Sequence, residues 1–139
     1  MRIFLDSNVW ISAFTARGLC ADLVRLLLRR HGRGSIDVLL GAPVREETLR
    51  ILARRFGATG SDLAYVRMAM DAAENVPASS ADPPGDIPDP ADAPIVACAL
   101  AARADLFVTG DKELLDMNSF EGMRLVSPRA MYERLIRGK

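Results

Sequence analysis

Apolar residues follow two rhythms along this chain. Short continuous runs bounded by turn residues predict strands over residues 3–5, 36–40, 106–109 and, shorter, 124–126. Between them the spacing is helical. Residues 21–30 carry Leu23, Leu26, Leu27 and Arg30 on one face, residues 44–56 carry Thr48, Ile51, Leu52 and Phe56, and a run opening at Ser61 continues through Tyr65, Met68 and Ala72. Two more helices are predicted over residues 92–103 and 128–136, with a short one after Asp111. Strands that alternate with helices predict an α/β sandwich, a parallel sheet covered on both faces. Ligands of such sheets bind beyond the carboxyl ends of the strands, where the strand order reverses.

One stretch breaks the rhythm. Residues 77–94 hold six of the eight prolines together with Ser79, Ser80 and Gly85, the composition of a linker. A domain boundary there would leave only 45 residues for a second core, too few for an independent one. The expectation is therefore one domain over residues 1–139 with a long surface loop. Half of the residues are apolar, which excludes disorder for the bulk of a 139-residue chain. The richest apolar run ends at Arg103 and Asp105, well short of the roughly 20 residues a bilayer requires. Asp6 interrupts the apolar start that an export signal needs, so cytoplasmic residence is expected.

Charge and cysteine content narrow the chemistry. Eighteen basic residues balance eighteen acidic ones, so any contact with nucleic acid must be local. Sixteen of the basic residues are arginine, the side chain best shaped for phosphate. Cys20 and Cys98 have neither zinc-ligand spacing nor a disulfide framework and are expected in the core. His31, after Arg29 and Arg30, is expected in the last turn of a helix, as a cation at the negative end of its dipole.

The carboxylates carry more information. Asp6 closes the first strand in Leu5-Asp6-Ser7-Asn8-Val9, and Asp111 repeats the arrangement after Leu106-Phe107-Val108-Thr109-Gly110. Either acid alone reads as a helix N-cap, but the recurrence at two strand ends of one sheet points both into one crevice. Asp89 and Asp92 occupy Pro88-Asp89-Pro90-Ala91-Asp92-Ala93-Pro94, where either caps a helix amino end. In the helix over residues 44–56, Glu46 has Arg50 four residues on as an exposed pair. Glu47 borders the buried face; the helical wheel favours it only weakly, and Glu46 stays open. Acids gathered in one pocket repel unless a cation compensates. All-oxygen ligands suit Mg²⁺ or Mn²⁺ better than zinc, and such a site suits phosphodiester hydrolysis.

In order along nearly the whole chain, Leu5-Asp6-Ser7-Asn8-Val9, Glu46-Glu47, Asp89-Pro90-Ala91-Asp92-Ala93-Pro94-Ile95 and Val108-Thr109-Gly110-Asp111-Lys112 resemble the PIN-domain ribonucleases, above all bacterial toxins of the VapC type. The resemblance implies a three-layer α/β/α sandwich with a parallel sheet of about five strands, whose third strand falls at Asn75-Val76-Pro77. It also implies a Mg²⁺-dependent (or Mn²⁺-dependent) endoribonuclease acting on RNA, a homodimer, and control by a small antitoxin protein. Asp6, Glu47, Asp92 and Asp111 match the acidic quartet that binds metal and performs catalysis. Asn8 and Thr109 match its supporting polar positions, with Asp89 beside Asp92. Arg17, Arg45 and Arg54 are the arginines expected to grip phosphate.

Two rival readings stand beside this one. The Gly110-Asp111 to Asp116 spacing also occurs in haloacid-dehalogenase-type phosphatases, but their first motif needs a second acid where this chain has Asn8. The other rival is a catalytically silent binding module whose acids serve only as caps. Apolar helices over residues 21–28 and 92–102 exceed what one small core needs, the basis for expecting a homodimer or an antitoxin-covered groove.

Overall fold

A computed structural model describes residues 1–138. It is a three-layer α/β/α sandwich. The elements run β1 (Arg2–Leu5), α1 (Ser7–Thr15), α2 (Leu19–Arg30), β2 (Asp37–Gly41), α3 (Ala42–Arg55), α4 (Gly60–Met70), β3 (Glu74–Val76), a 3₁₀ turn (Pro90–Asp92), α5 (Ala93–Ala101), β4 (Leu106–Val108), α6 (Lys112–Asp116), β5 (Ser119–Phe120), β6 (Met123–Val126) and α7 (Pro128–Ile136). The sheet order is β3-β2-β1-β4-β6-β5. All pairs are parallel except β5 with β6. The third strand lies where the resemblance puts it, ending before Pro77, which has no amide proton to continue a ladder. The sixth strand was not expected. Ser119–Phe120 is two residues long and folds back on β6, too short to show a period.

Right-handed crossovers dictate the layers. The chain steps from β1 to β2 to β3 in one direction, which puts α1 to α4 on one face. It then returns across the sheet to β4 through α5, which covers the other. The order therefore reverses between β1 and β4, and Asp6 and Asp111 follow those two strands.

The central strands are apolar throughout because both faces are covered. Phe4 and Phe107 are register partners on neighbouring strands and stack at 5.4 Å. Residues 95–99 of α5 are all buried, so its apolar surplus is consumed by the core and advertises no partner. Apolar side chains that do stay exposed are Phe56, Tyr65, Met68 and Ile136, mostly on α4 and the end of α3. No helix among the described residues is long and apolar enough to cross a membrane.

Two sequence expectations change in detail. His31 caps the end of α2, but its Nδ1 accepts a hydrogen bond from the Val38 amide at 2.9 Å. It thus serves β2, just before β3 begins its pairing at Leu39, rather than as a cation on the helix dipole. Cys98 is buried and its thiol donates to the Pro77 carbonyl at 3.2 Å, fixing the start of the proline-rich segment, whereas Cys20 is only half-buried.

Among the glycines of the described residues, Gly41, the last residue of β2, is the most tightly enclosed. A Cβ there would stand 2.8 Å from Cys98 Sγ and 2.9 Å from Phe4 Cζ. Gly41→Ala is expected to cost about 1–3 kcal/mol by overpacking, read as a lower urea midpoint. Adding Cys98→Ala should recover part of that loss.

Candidate active site

Asp6 begins where β1 ends. Its amide still bonds to the Val108 carbonyl at 2.9 Å, which extends the β1–β4 pairing to the acid itself. Its side chain is 5% exposed. Oδ1 accepts from the Ser7 amide at 2.7 Å and so caps α1. Oδ2 accepts from the Thr109 hydroxyl at 2.7 Å and from Asn8 Nδ2 at 3.1 Å. Capping and crevice-facing roles are therefore divided between the two oxygens of one carboxylate.

Thr109 and Asn8 join the two strand ends. The buried Thr109 hydroxyl also accepts from Asn8 Nδ2 at 3.2 Å and from the Asp111 amide at 3.0 Å. Asn8 Oδ1 accepts from the Gly110 amide at 2.9 Å. Gly110 itself lies against that side-chain amide, 3.5 Å from where a Cβ would stand. Asp111 in turn caps α6 through the Glu113 amide at 2.9 Å.

Asp92 differs from the others. It occupies the cap position of α5 without making a capping bond, whereas Asp89 caps the 3₁₀ turn through the Ala91 amide. Glu47, on α3, is near enough for its charge, with that of Asp111, to push the Asp6 pKa upward. Burial is the larger cause of that upward shift, and the hydrogen bonds from Thr109 and Ser7 oppose it. Asp92 is pushed up to about 6, first by burial and then by Asp6, Asp111, Asp89 and Glu47. The four acids from distant parts of the chain thus feel one another. Glu46 is exposed and contributes nothing to either shift.

The sequence misplaced the partner of Arg50. It stands 4.0 Å from Glu47, not Glu46. Of the arginines expected to grip phosphate, Arg45 is already engaged: it pairs with Asp71, and its Nη2 donates to Asn75 Oδ1 at 2.7 Å. Arg17 and Arg54 are exposed. Ser7 is the polar residue the sequence reading passed over. It is 3% exposed beside Asp6, and its hydroxyl has no partner among the described residues; only burial singles it out.

The donor set is chemically suited to a hard divalent cation: all the acids offer oxygen, and they repel one another. No arginine or lysine forms an ion pair with Asp6, Asp92 or Asp111 among the described residues. Yet no three acidic, imidazole or thiol groups among those residues are gathered closely enough to hold a cation as they stand. The carboxylates lie within electrostatic reach of one another without forming a finished coordination sphere.

Residues 2–113 match the PIN domain family. A comparison with curated proteins found no match.

Asp92 holds its proton more tightly in the fold, near pH 6, than its ordinary 3.8. As pH rises from 3.8 to 6 the unfolded chain releases that proton first, so stability falls across this window and then levels off. Asp6 acts in the same direction. Without divalent cations, the thermal midpoint is expected to be higher at pH 5 than at pH 7.5. Asp92→Asn should raise the midpoint at pH 7.5 and shrink this pH dependence.

Proposed function

This chain belongs to the PIN-domain family, a nuclease-type fold, and on that footing we propose that it is a Mg²⁺- or Mn²⁺-dependent endoribonuclease, the toxin of a toxin–antitoxin pair. The observation that carries the reading is the mutual coupling of Asp6, Glu47, Asp92 and Asp111 where the strand order reverses. A cation held by Asp6, Asp92 and Asp111, with Glu47 at a second position or on the attacking water, would activate that water and neutralise charge building on the phosphoryl group. Thr109 and Asn8 fix the Asp6 carboxylate by donating to Oδ2, which leaves its remaining lone pairs in one orientation. Asp89 holds the turn that presents Asp92.

RNA as substrate and control by a small antitoxin are supported by likeness to the family alone. A protein-covered surface, whether a homodimer or an antitoxin complex, has support in the exposed Phe56, Tyr65 and Met68. Two adjoining cavities share Phe14 and Tyr65 between α1, α2, α3 and α4, and soluble monomers rarely leave such apolar ground uncovered. A silent binding module is the second reading, because Asp6, Asp89 and Asp111 all serve as caps and no ligand set is finished among the described residues.

Single-stranded RNA incubated with the purified chain in Mn²⁺ separates the two. Cleavage that EDTA abolishes, and that Asp92→Asn and Asp6→Asn each slow by about a hundredfold or more, is expected for the nuclease. Asp92 makes no bond that the fold needs, so its variant tests chemistry without unfolding. Mn²⁺ should raise the melting midpoint of the parent chain. No cleavage and no midpoint shift would favour the silent module.

A further inference from the structure

The balanced charge of the chain conceals a separation. Residues 16–67 hold ten arginines against five carboxylates, whereas residues 68–102 hold six carboxylates and no basic residue. Some members of each group border the acidic crevice. On one side is α3, bearing Glu47. On the other are the proline-rich strap, with Asp82, Asp86 and Asp89 all exposed, and Asp92 at its end.

Along α3, residues three and seven positions after Glu47 share its side of the helix. These are Arg50 and Arg54. Arg50 is 52% exposed and touches Glu47 at 4.0 Å, so it stands at the lip of the crevice. Arg54 is exposed and lies one turn farther, about 6 Å along the axis, with no ion pair among the described residues. Arg45, at the start of the same helix, is occupied by Asp71 and Asn75.

We propose that Arg50 and Arg54 form a phosphate track that lays a single RNA strand along α3 into the acidic crevice, while the acidic strap turns the strand away from the opposite side. The inference rests on the nuclease reading for its substrate. It assigns Arg50 a positioning role and replaces Arg45 in that role. Guanidinium groups one helical turn apart give successive phosphates charge-assisted donors. The contacts are sequence-independent and salt-sensitive.

The test uses the full chain and a short fluorescein-labelled single-stranded RNA of mixed sequence. Binding is followed by anisotropy in EDTA across a salt series, and cleavage kinetics are measured separately in Mn²⁺. Changing both residues, Arg50→Gln with Arg54→Gln, should weaken binding at low salt by roughly tenfold and reduce the slope of log K against log salt by about 1.4. KM should rise with kcat nearly unchanged, and the Arg→Lys pair should restore most of the binding. A charge-matched control is Arg33→Gln with Arg137→Gln. Both residues are exposed and lie toward the amino ends of the parallel strands, before β2 and after α7, at the end of the sheet opposite the acids, and this pair should leave slope and KM as they were.

If the α3 pair changes neither slope nor KM, or the control pair changes them equally, the track does not exist. Cleavage by the parent chain with an unaltered slope in the α3 variant would sink the track and leave the nuclease standing. Slope loss in EDTA without any cleavage would keep the track and sink the nuclease. Failure of the parent chain to bind RNA would remove both.

Discussion

A carboxylate in a protein interior has to be solvated by the protein itself, and the way Asp6 is solvated governs the geometry around it. An ionised group unpaired in an apolar interior costs several kcal/mol, so its neighbours are forced to be donors. One oxygen takes the amide that opens α1, and the other takes a hydroxyl and an amide from Thr109 and Asn8. Because Thr109 follows β4 and Asn8 also holds Gly110, solvating one acid simultaneously aligns the ends of two strands. Thr109 also accepts from the Asp111 amide, which fixes the backbone of that second acid beside the first. Loss of the Thr109 hydroxyl would take one bond from each of three polar partners at once.

That arrangement stabilises individual acids and still leaves their collective repulsion in place. Hydrogen bonds favour ionised Asp6, while burial and its neighbours oppose it; Asp92, with no bond of its own, is left at about 6. A fold selected only for stability would have removed Asp92 or placed an arginine beside it. Retaining a repulsive group at such cost is the pattern expected of functional positions, where stability is given up locally.

Most of the sheet was legible because its strands are short apolar runs between turn residues, and β1, β2, β4 and β6 differ from the sequence-based bounds by a residue or so. The acids were visible because a charged residue immediately after a buried strand is an anomaly wherever it occurs. Less could be read where tertiary partners decide. β5 has two residues and exists only through its pairing with β6. Glu46 and Glu47 are adjacent on one helix, and only the crevice across from α3 distinguishes them. Local spacing suggested Glu46 for Arg50, but the structure puts Arg50 against Glu47. His31 looked like a terminal cation because the short start of β3, which leaves the Val38 amide in need of an acceptor, has no sequence signature.

The proline-rich strap has a different bearing. Among the described residues it is tied to the rest of the fold by the Cys98 thiol on Pro77 and by the packing of Ile87 against the core, while the Asp89 cap is a bond within the strap itself. Asp92 is placed instead by α5, whose buried residues begin at Ile95. Insertions and deletions between residues 78 and 86 would therefore lengthen or shorten the wall of the crevice while its acids keep their places. The segment is thus a part of the chain free to change in length, and such change would alter what reaches the acids without rebuilding their supports.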